Sequence, residues 1–284
     1  MKNRPLVSVI IPTYKRLNKL ICCLDSIFDS NYKNIEVIVV NDDPNSDISE
    51  YFKKYKIKLI QNKKNLFASY SKNYGAKNAK GELLFFLDDD NILNKDTIKN
   101  LIKNYDYKIG LLGPIMYNEN KEVWFSGAKA NWITLNPKKL KNKRNKKFIE
   151  TDVVPNAAII SKYLFENVGG YDELFPIHGE DFDLPQKLLK KGYKSFICND
   201  SSVVHSYGLL NEHLTPKRLY FVVRSSILLE RKYAPKIRLP LFFIYLFFHM
   251  LYYFIIYIPG SKNRVKYYKN YLMGLKDGLI LKIK

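Results

Sequence analysis

The sequence predicts an α/β protein: a mostly parallel sheet with helices on both faces, followed by a C-terminal helical region that associates with a membrane. Three observations predict it. Short β-branched apolar runs alternate with segments of helical periodicity, polar clusters recur where the apolar runs end, and residues 214–284 are basic and aromatic around one uncharged stretch.

Leu6–Ile11 (LVSVII) and Ile35–Val40 (IEVIVV) are short, β-branched and bounded by turn formers, so they read as buried strands. Between them, Leu17, Leu20, Ile21, Leu24, Ile27 and Phe28 recur at helical spacing. A helix near Ser46–Tyr55, a strand near Ile57–Ile60, a helix near Ser69–Ala79 and the strand Leu83–Leu87 (LLFFL) follow. This βαβα order implies parallel strands joined by right-handed crossovers. Further on, Glu180-Asp181-Phe182-Asp183-Leu184 opens a helix that ends near Lys191-Gly192.

At 284 residues, 46% hydrophobic and 14% aromatic, the chain has enough material for one or two domains with a full core. We expect a catalytic domain over 1–213 and a helical region over 214–284. Cys22, Cys23 and Cys198 form no CxxC pair and no even-numbered framework, which argues against a zinc site or disulfide scaffold and for a reducing, cytosolic setting. The N-terminal apolar run is too short for a signal peptide and is broken by Pro12.

The formal net charge of +20 suggests a polyanion-binding protein until it is mapped. Residues 214–284 hold 14 Lys and Arg against 2 acids, and Asn136–Lys147 (NPKKLKNKRNKK) holds 7 cations and no acid, so these two segments carry 19 of the 20. The rest of the chain is nearly neutral, which argues against nucleic acid as a partner.

In an open parallel sheet, ligands bind beyond the carboxyl ends of the strands. There the first strand runs into Pro12-Thr13-Tyr14, the second into Asn41-Asp42-Asp43 and the strand Leu83–Leu87 into Asp88-Asp89-Asp90-Asn91. Asp and Asn also make turns and helix caps, which accounts for any one cluster. Three adjacent carboxylates after a fully apolar strand repel one another unless a cation sits among them, so a divalent-metal site is the better account of Asp88–Asp90. On an extended segment, Asp88 and Asp90 would face one ion and Asp89 would point elsewhere.

Six stretches, VSVIIPTYKR, EVIVVNDDPNSD, the segment from Asn65 through Ser71-Lys72-Asn73-Tyr74-Gly75 to Gly81-Glu82, LLFFLDDD, VGGYDELF and HGEDFDL, occur in one order across about residues 5–208. In this the chain resembles the family 2 glycosyltransferases of the GT-A fold, and among them the rhamnosyltransferase-like branch. The resemblance implies a nucleotide-diphospho-sugar donor and Mn²⁺ or Mg²⁺ as cofactor. It implies donor binding by Pro12, Thr13, Tyr14, Arg16, Asn41, Asp42, Lys72 and Asp89, and metal binding by Asp88, Asp90 and His205 of VVHSYG. It further implies Asp181 as the base that deprotonates the acceptor hydroxyl, with Glu180 on the acceptor side, in an inverting single displacement.

The chain departs from the family pattern at two places. Asn41 stands where a carboxylate usually contacts the base, and an amide both donates and accepts, so the nucleotide base can differ from uracil. Asn65-Leu66-Phe67 and Ser71-Lys72-Asn73-Tyr74-Gly75 replace the usual Asn-x-Gly and Ala-Arg-Asn-x-Gly, so Lys72 offers a point charge to the donor in place of a planar fork, or is an exposed helix lysine.

Leu239–Ile258 is twenty residues without formal charge, about 30 Å long as a helix at roughly 1.5 Å per residue. Arg231, Lys232, Lys236 and Arg238 precede it, and Lys262, Arg264, Lys266 and Lys269 follow. A single span would put one basic cluster on the non-cytoplasmic side, so monotopic or re-entrant attachment to the anionic cytoplasmic face ranks first, a single span second, and a buried hairpin of a soluble homodimer third. The loop Asn136–Lys147 is either a solvated charge run or a grip for an acidic acceptor such as a polyprenyl diphosphate-linked glycan. Trp124 and Gly127, just upstream, offer a sugar-stacking face or a core tryptophan.

A nucleotidyltransferase is the main enzymatic rival, but it calls for a glycine-rich loop after the first strand, and PTYKRLNK has no glycine. The other rival is a non-catalytic basic protein that binds membrane or nucleic acid.

Overall fold

A computed structural model describes residues 4–134, 137–140, 146–154, 156–206, 215–261 and 263–283. The chain divides into two compact units. One comprises Met1–Lys129, Lys139–Pro176 and Glu180–Tyr207, and the other Ala130–Lys138, Ile177–Gly179 and Gly208–Lys284. The expected boundary at 213/214 lies outside the described residues.

The first unit begins β1 (Val7–Thr13), α1 (Leu17–Phe28), β2 (Ile35–Asn41), β3 (Ile57–Gln61), α2 (Phe67–Lys77) and β4 (Leu83–Leu87). Next come β5 (Asn91–Leu93), α3 (Thr97–Asn104), β6 (Ile109–Tyr117), β7 (Val123–Phe125), β8 (Ala128–Lys129), β9 (Lys138–Lys139), at which the chain returns to this unit, and β10 (Phe148–Thr151). β11 (Ala157–Ser161), α4 (Lys162–Asn167), α5 (Glu180–Lys190) and β12 (Lys194–His205) complete the series.

The main sheet runs in the order β10-β12-β6-β11-β4-β1-β2-β3, with β5 added to β12 and β7 to β6. The block β4-β1-β2-β3 is parallel, as its alternation with helices requires, and so is the pair β6-β12. β11 lies antiparallel between β4 and β6 and joins the two blocks. Alternation along β1 sends Val7, Val9 and Ile11 to one core with α1 and α3, and Ile10 to the other with α2, α4 and α5. Helices therefore cover both faces.

The expected helix near Ser46–Tyr55 is reduced to a single 3₁₀ turn at Ser49–Phe52. The Asp43 side chain accepts from the Asn45 N–H, and Asp47 accepts from Ser49 N–H at 2.8 Å. Such local side-chain acceptors compete with helical carbonyls and stop a helix from starting earlier.

The second unit holds α6 (Pro216–Tyr233), α7 (Leu239–Tyr252) and α8 (Arg264–Ile280), with a π-helical turn Tyr253–Tyr257 after α7. α6 starts where Thr215 Oγ1 accepts from Arg218 N–H and Pro216 takes the first position. α8 packs closely on α6 because a Cβ at Gly274 would stand 2.8 Å from the Tyr220 carbonyl and one at Gly278 2.9 Å from Ile227 Cβ. Leu219, Val223, Ile227, Phe242, Leu246 and Tyr271 form this unit's core. Only one stripe of α7 enters it. Phe243, Ile244, Phe247, Phe248, Ile255 and Ile256 remain exposed, Phe248 by 62% and Ile255 by 68%. The stretch Lys236–Tyr257, 22 residues with an 18-residue window at a mean hydropathy of 2.0, is long and apolar enough to cross a membrane by length and composition.

Candidate active site

β1 and β4 are parallel neighbours, so Thr13 and the Asp88–Asp90 segment leave the sheet at one edge. Left-handed Lys15, at φ +58°, turns the chain between Thr13 and Arg16. The Thr13 hydroxyl donates to Asp89 Oδ2 at 2.6 Å. Arg16 then forks across two carboxylates, Nη2 to Asp89 Oδ1 at 2.6 Å and Nη1 to Asp90 Oδ2 at 2.8 Å. Burial pushes the Asp89 carboxyl up, against the pull of Arg16 and Thr13. Asp89 is wholly buried and engaged with these two partners.

The three aspartates do not alternate as an extended segment would. Asn91 N–H donates to the Asp88 carbonyl at 3.1 Å, a turn that sends Asp88 to a different partner from Asp89 and Asp90, which share Arg16. Asp90 Oδ1 lies 3.6 Å from His205 Nε2, because β5 and β12 pair with Asn91 opposite His205. Burial lowers the His205 imidazole below its usual value despite Asp90, which favours the neutral form that ligates metals.

Asp88 turns to Lys72, with Nζ to Oδ1 at 3.1 Å. Lys72 is only 1% exposed, so the alternative of a solvated helix lysine is excluded, and its ammonium is taken up by Asp88 rather than held open toward a donor. α2 can seat this side chain there because Gly75 lies where a Cβ would stand 2.4 Å from Ile10 Cγ2, letting the helix sit down on β1. Burial alone would push Lys72 down, but Asp88 and other neighbours outweigh it and hold the ammonium above the usual lysine range. The Lys72 Nζ also stands 5.5 Å from the centre of the Tyr171 ring. Tyr171 is fixed by Asn73, which accepts from its N–H and donates to its carbonyl, both at 2.9 Å. Sequence reasoning missed the parts played by Tyr171 and Asn73, although the VGGYDELF and SKNYG stretches contain both.

α5 begins at Glu180, after Gly179 at φ +95°. Glu180 is buried, and Asp181 partly so. Burial raises both carboxyls, with Asp181 adding to the effect on Glu180, while Lys72 pulls both back down. One buried ammonium thus acts on carboxylates from the end of β4 and the start of α5.

Asn41 and Asp42, expected on the donor, are buried and engaged with protein. Asn41 Nδ2 donates to the Ser46 carbonyl at 2.8 Å and to Gln61 Oε1 at 2.9 Å, and its Oδ1 accepts from Asp43 N–H. Asp42 accepts from Asn62 Nδ2 and from the N–H groups of Leu66 and Phe67, at 2.7–2.8 Å. These bonds hold Phe67 at φ +66°, the left-handed conformation in which the family's glycine is at home. Pro12 and Thr13 are buried, whereas Tyr14 is 41% exposed and Arg16 partly exposed.

Trp124 does not offer a free stacking face. It stacks on His205, ring centroids 4.7 Å apart and planes 5° from parallel. Gly127, at φ +107°, is buried against Leu140 and Thr151 and serves the loop backbone, its carbonyl accepting from Leu140 N–H. In the basic loop expected to grip the acceptor, residues 136 and 141–145 lie outside the described residues.

Among the described residues no three His, Cys, Asp or Glu side chains are gathered closely enough to hold an ion together. Asp90 and His205 nonetheless fit one. Asp90 Oδ1 is buried without a hydrogen-bond partner, and its 3.6 Å separation from Nε2 suits two donors each about 2.1 Å from a shared divalent ion.

The family described as Glycosyl transferase family 2 matches residues 8–169. A protein of Rickettsia felis named an uncharacterized glycosyltransferase is 39% identical over 100 residues, 34% of this chain and 17% of that one. The chain thus aligns with less than a fifth of the length of the first curated relatives it matches. The dTDP-rhamnosyl transferase RfbF of Shigella flexneri is 26% identical over 98% of this chain and 96% of its own. Among solved structures, the mannosyltransferase PcManGT of Pyrobaculum calidifontis, in complex with GDP-Man and Mn²⁺, superposes with a TM-score of 0.60 at 18% identity, covering 98% of this chain and 86% of that one. The fold is the GT-A fold expected from the motifs, and the chain belongs to the family 2 glycosyltransferases.

Proposed function

We propose that the protein transfers a sugar from a nucleotide-diphospho-sugar to a hydroxyl of a glycan or lipid-linked acceptor, by a single inverting displacement in which Asp181 is the general base. The observation that carries this reading is the ion pair of buried Lys72 with Asp88 at the end of β4, its ammonium also lowering the carboxyls of the Glu180-Asp181 pair that opens α5.

Asp90 and His205 would hold a divalent ion, Mn²⁺ or Mg²⁺, with Asp88 as a further ligand once it leaves Lys72. Bound there, it would supply positive charge against the negative charge that grows on the departing diphosphate. The residues of the chain do the rest. Arg16 fixes Asp89 and Asp90. Tyr14, exposed between Thr13 and Arg16 in the sequence, would meet the nucleoside. Asp181 accepts the proton of the acceptor hydroxyl as that oxygen attacks the anomeric carbon from the face opposite the diphosphate. A base in this role contributes about 10²–10⁴-fold. The near full-length similarity to a protein named as a dTDP-rhamnosyl transferase makes dTDP-rhamnose the first donor to test.

The helical region 214–284 attaches this catalytic unit to the anionic cytoplasmic face of a membrane. An apolar helix face flanked by cations at both ends supports attachment in the interface. A thermal-shift screen of nucleotide-sugars with and without Mn²⁺ tests the central reading, since a bound donor raises stability by RT ln(1 + [L]/Kd). The expected result is one nucleotide-sugar that shifts the melting temperature more with Mn²⁺ than without. No shift with any donor would reject the proposal.

A further inference from the structure

We propose that Trp124 is a positioning residue that acts through His205: its indole holds the imidazole with Nε2 facing Asp90 Oδ1, and this sets the affinity of the site for a divalent cation. The inference rests on the reading of Asp90 and His205 as metal ligands. Three contacts carry it. The indole and imidazole are nearly parallel, 5° apart with centroids 4.7 Å from one another, a stack that resists rotation of the smaller ring about its Cβ–Cγ bond. The backbone of His205 is held by its pairing with Asn91, and the indole lies along one face of its ring. On the facing side, Arg16 Nη1 takes Asp90 Oδ2 at 2.8 Å, which leaves Oδ1 directed at Nε2.

The two ligand atoms are therefore set from opposite partners before any ion arrives. A ligand held in its bound orientation loses less freedom on binding, and neighbours that orient a metal-ligating histidine commonly matter by about 10–100-fold in metal affinity. A flat aromatic ring of another kind could replace the indole, whereas a branched aliphatic side chain could not. Trp124 emerges on β7 and is partly buried, and Lys139 Nζ stands 5.8 Å from its ring centre, so the indole itself is held in place.

The test uses the full chain and Mn²⁺ alone, with the free ion counted by electron paramagnetic resonance. Trp124→Leu is expected to weaken Mn²⁺ binding about 10–100-fold, while Trp124→Phe stays within about threefold, with unchanged far-ultraviolet circular dichroism in both. Leucine binding as tightly as tryptophan, or phenylalanine failing to restore affinity, would overturn the proposal. His205→Ala separates the two levels of the argument. If it loses Mn²⁺ while Trp124→Leu does not, only the positioning role fails; if it binds Mn²⁺ as the unaltered protein does, the metal reading fails. Should the leucine variant not fold, tryptophan fluorescence of the unaltered chain decides. Trp124 and Trp132 are its two tryptophans, and Mn²⁺ bound at His205 should quench the emission that Trp124→Phe removes. Unquenched emission at saturating Mn²⁺ also overturns the proposal.

Discussion

The Lys72 ammonium and the Asp88 carboxylate meet at 3.1 Å, the lysine almost completely buried on α2 and the aspartate at the end of β4. Removing one member of a buried pair leaves the other charge uncompensated. Lys72→Met should therefore destabilise the protein by about 3 kcal/mol, read by urea unfolding, and Lys72→Met with Asp88→Asn should recover much of the loss. A single variant as stable as the parent would show that the pair does not hold the site together.

Asp181→Asn keeps the shape of the side chain and removes the base. We expect kcat to fall about 10²–10⁴-fold with the donor Kd unchanged, measured by calorimetry beside the rate assay. Transfer at near the parental rate would move the base elsewhere. Because burial raises the Asp181 carboxyl, the acid limb of the kcat profile should lie above the ordinary carboxylate range, with activity lost as pH falls through it.

Glu180 is pushed up to about 7 by burial and by Asp181. A carboxyl whose folded value lies above its unfolded one binds its proton more tightly in the folded state, so its stabilising contribution is complete below the unfolded value and is lost as pH rises toward 7. The metal-free protein should then melt at a lower temperature at pH 8 than at pH 5, and Glu180→Gln should flatten that slope. An unchanged slope in the variant would assign it to other groups.

Asp42 holds the turn into α2 through its bonds to Asn62, Leu66 and Phe67. Asp42→Ala leaves these donors unpaired at a cost of about 1–3 kcal/mol each where they are buried, and should lower both the melting temperature and donor affinity. Asp42→Asn, which keeps an acceptor oxygen, should lie between. Phe67→Gly in the Asp42→Ala background should regain part of the loss, since glycine needs no help to adopt φ +66°.

Phe247 and Phe248 are more than half exposed on α7. Replacing both with Glu should abolish sedimentation with anionic liposomes and leave the melting temperature of the catalytic unit unaltered. Retained sedimentation would place membrane attachment on another surface.

Several elements were legible without coordinates because their cause is local. β1, β2, β4 and α1 follow from short β-branched runs and from apolar spacing at 3.6 residues, and they appear within two residues of where the sequence puts them. The helix near Ser46–Tyr55 was not legible, since its fate turned on side-chain acceptors at Asp43 and Asp47 that act against a weak helical pattern. The antiparallel strand β11 was missed as well: its pairing partners, β4 and β6, are distant in sequence, and no local pattern states which strands will be neighbours.

By itself the sequence determined that carboxylates, amides and an aromatic crowd one edge of a parallel block, that the net charge belongs to a tail and a loop, and that six motifs recur in a family order. Composition and spacing are properties of the chain and survive without a fold. Only the tertiary structure decided which partner each of the three consecutive aspartates would meet. Asp88 goes to Lys72, Asp89 to Thr13 and Arg16, and Asp90 to Arg16 and His205. An extended segment would have sent alternate side chains to one side, but a turn closed from Asn91 to Asp88 fans them apart. Direction in a turn is set by backbone torsions and by partners brought from α2 and β12, and neither is written in the order of three identical residues.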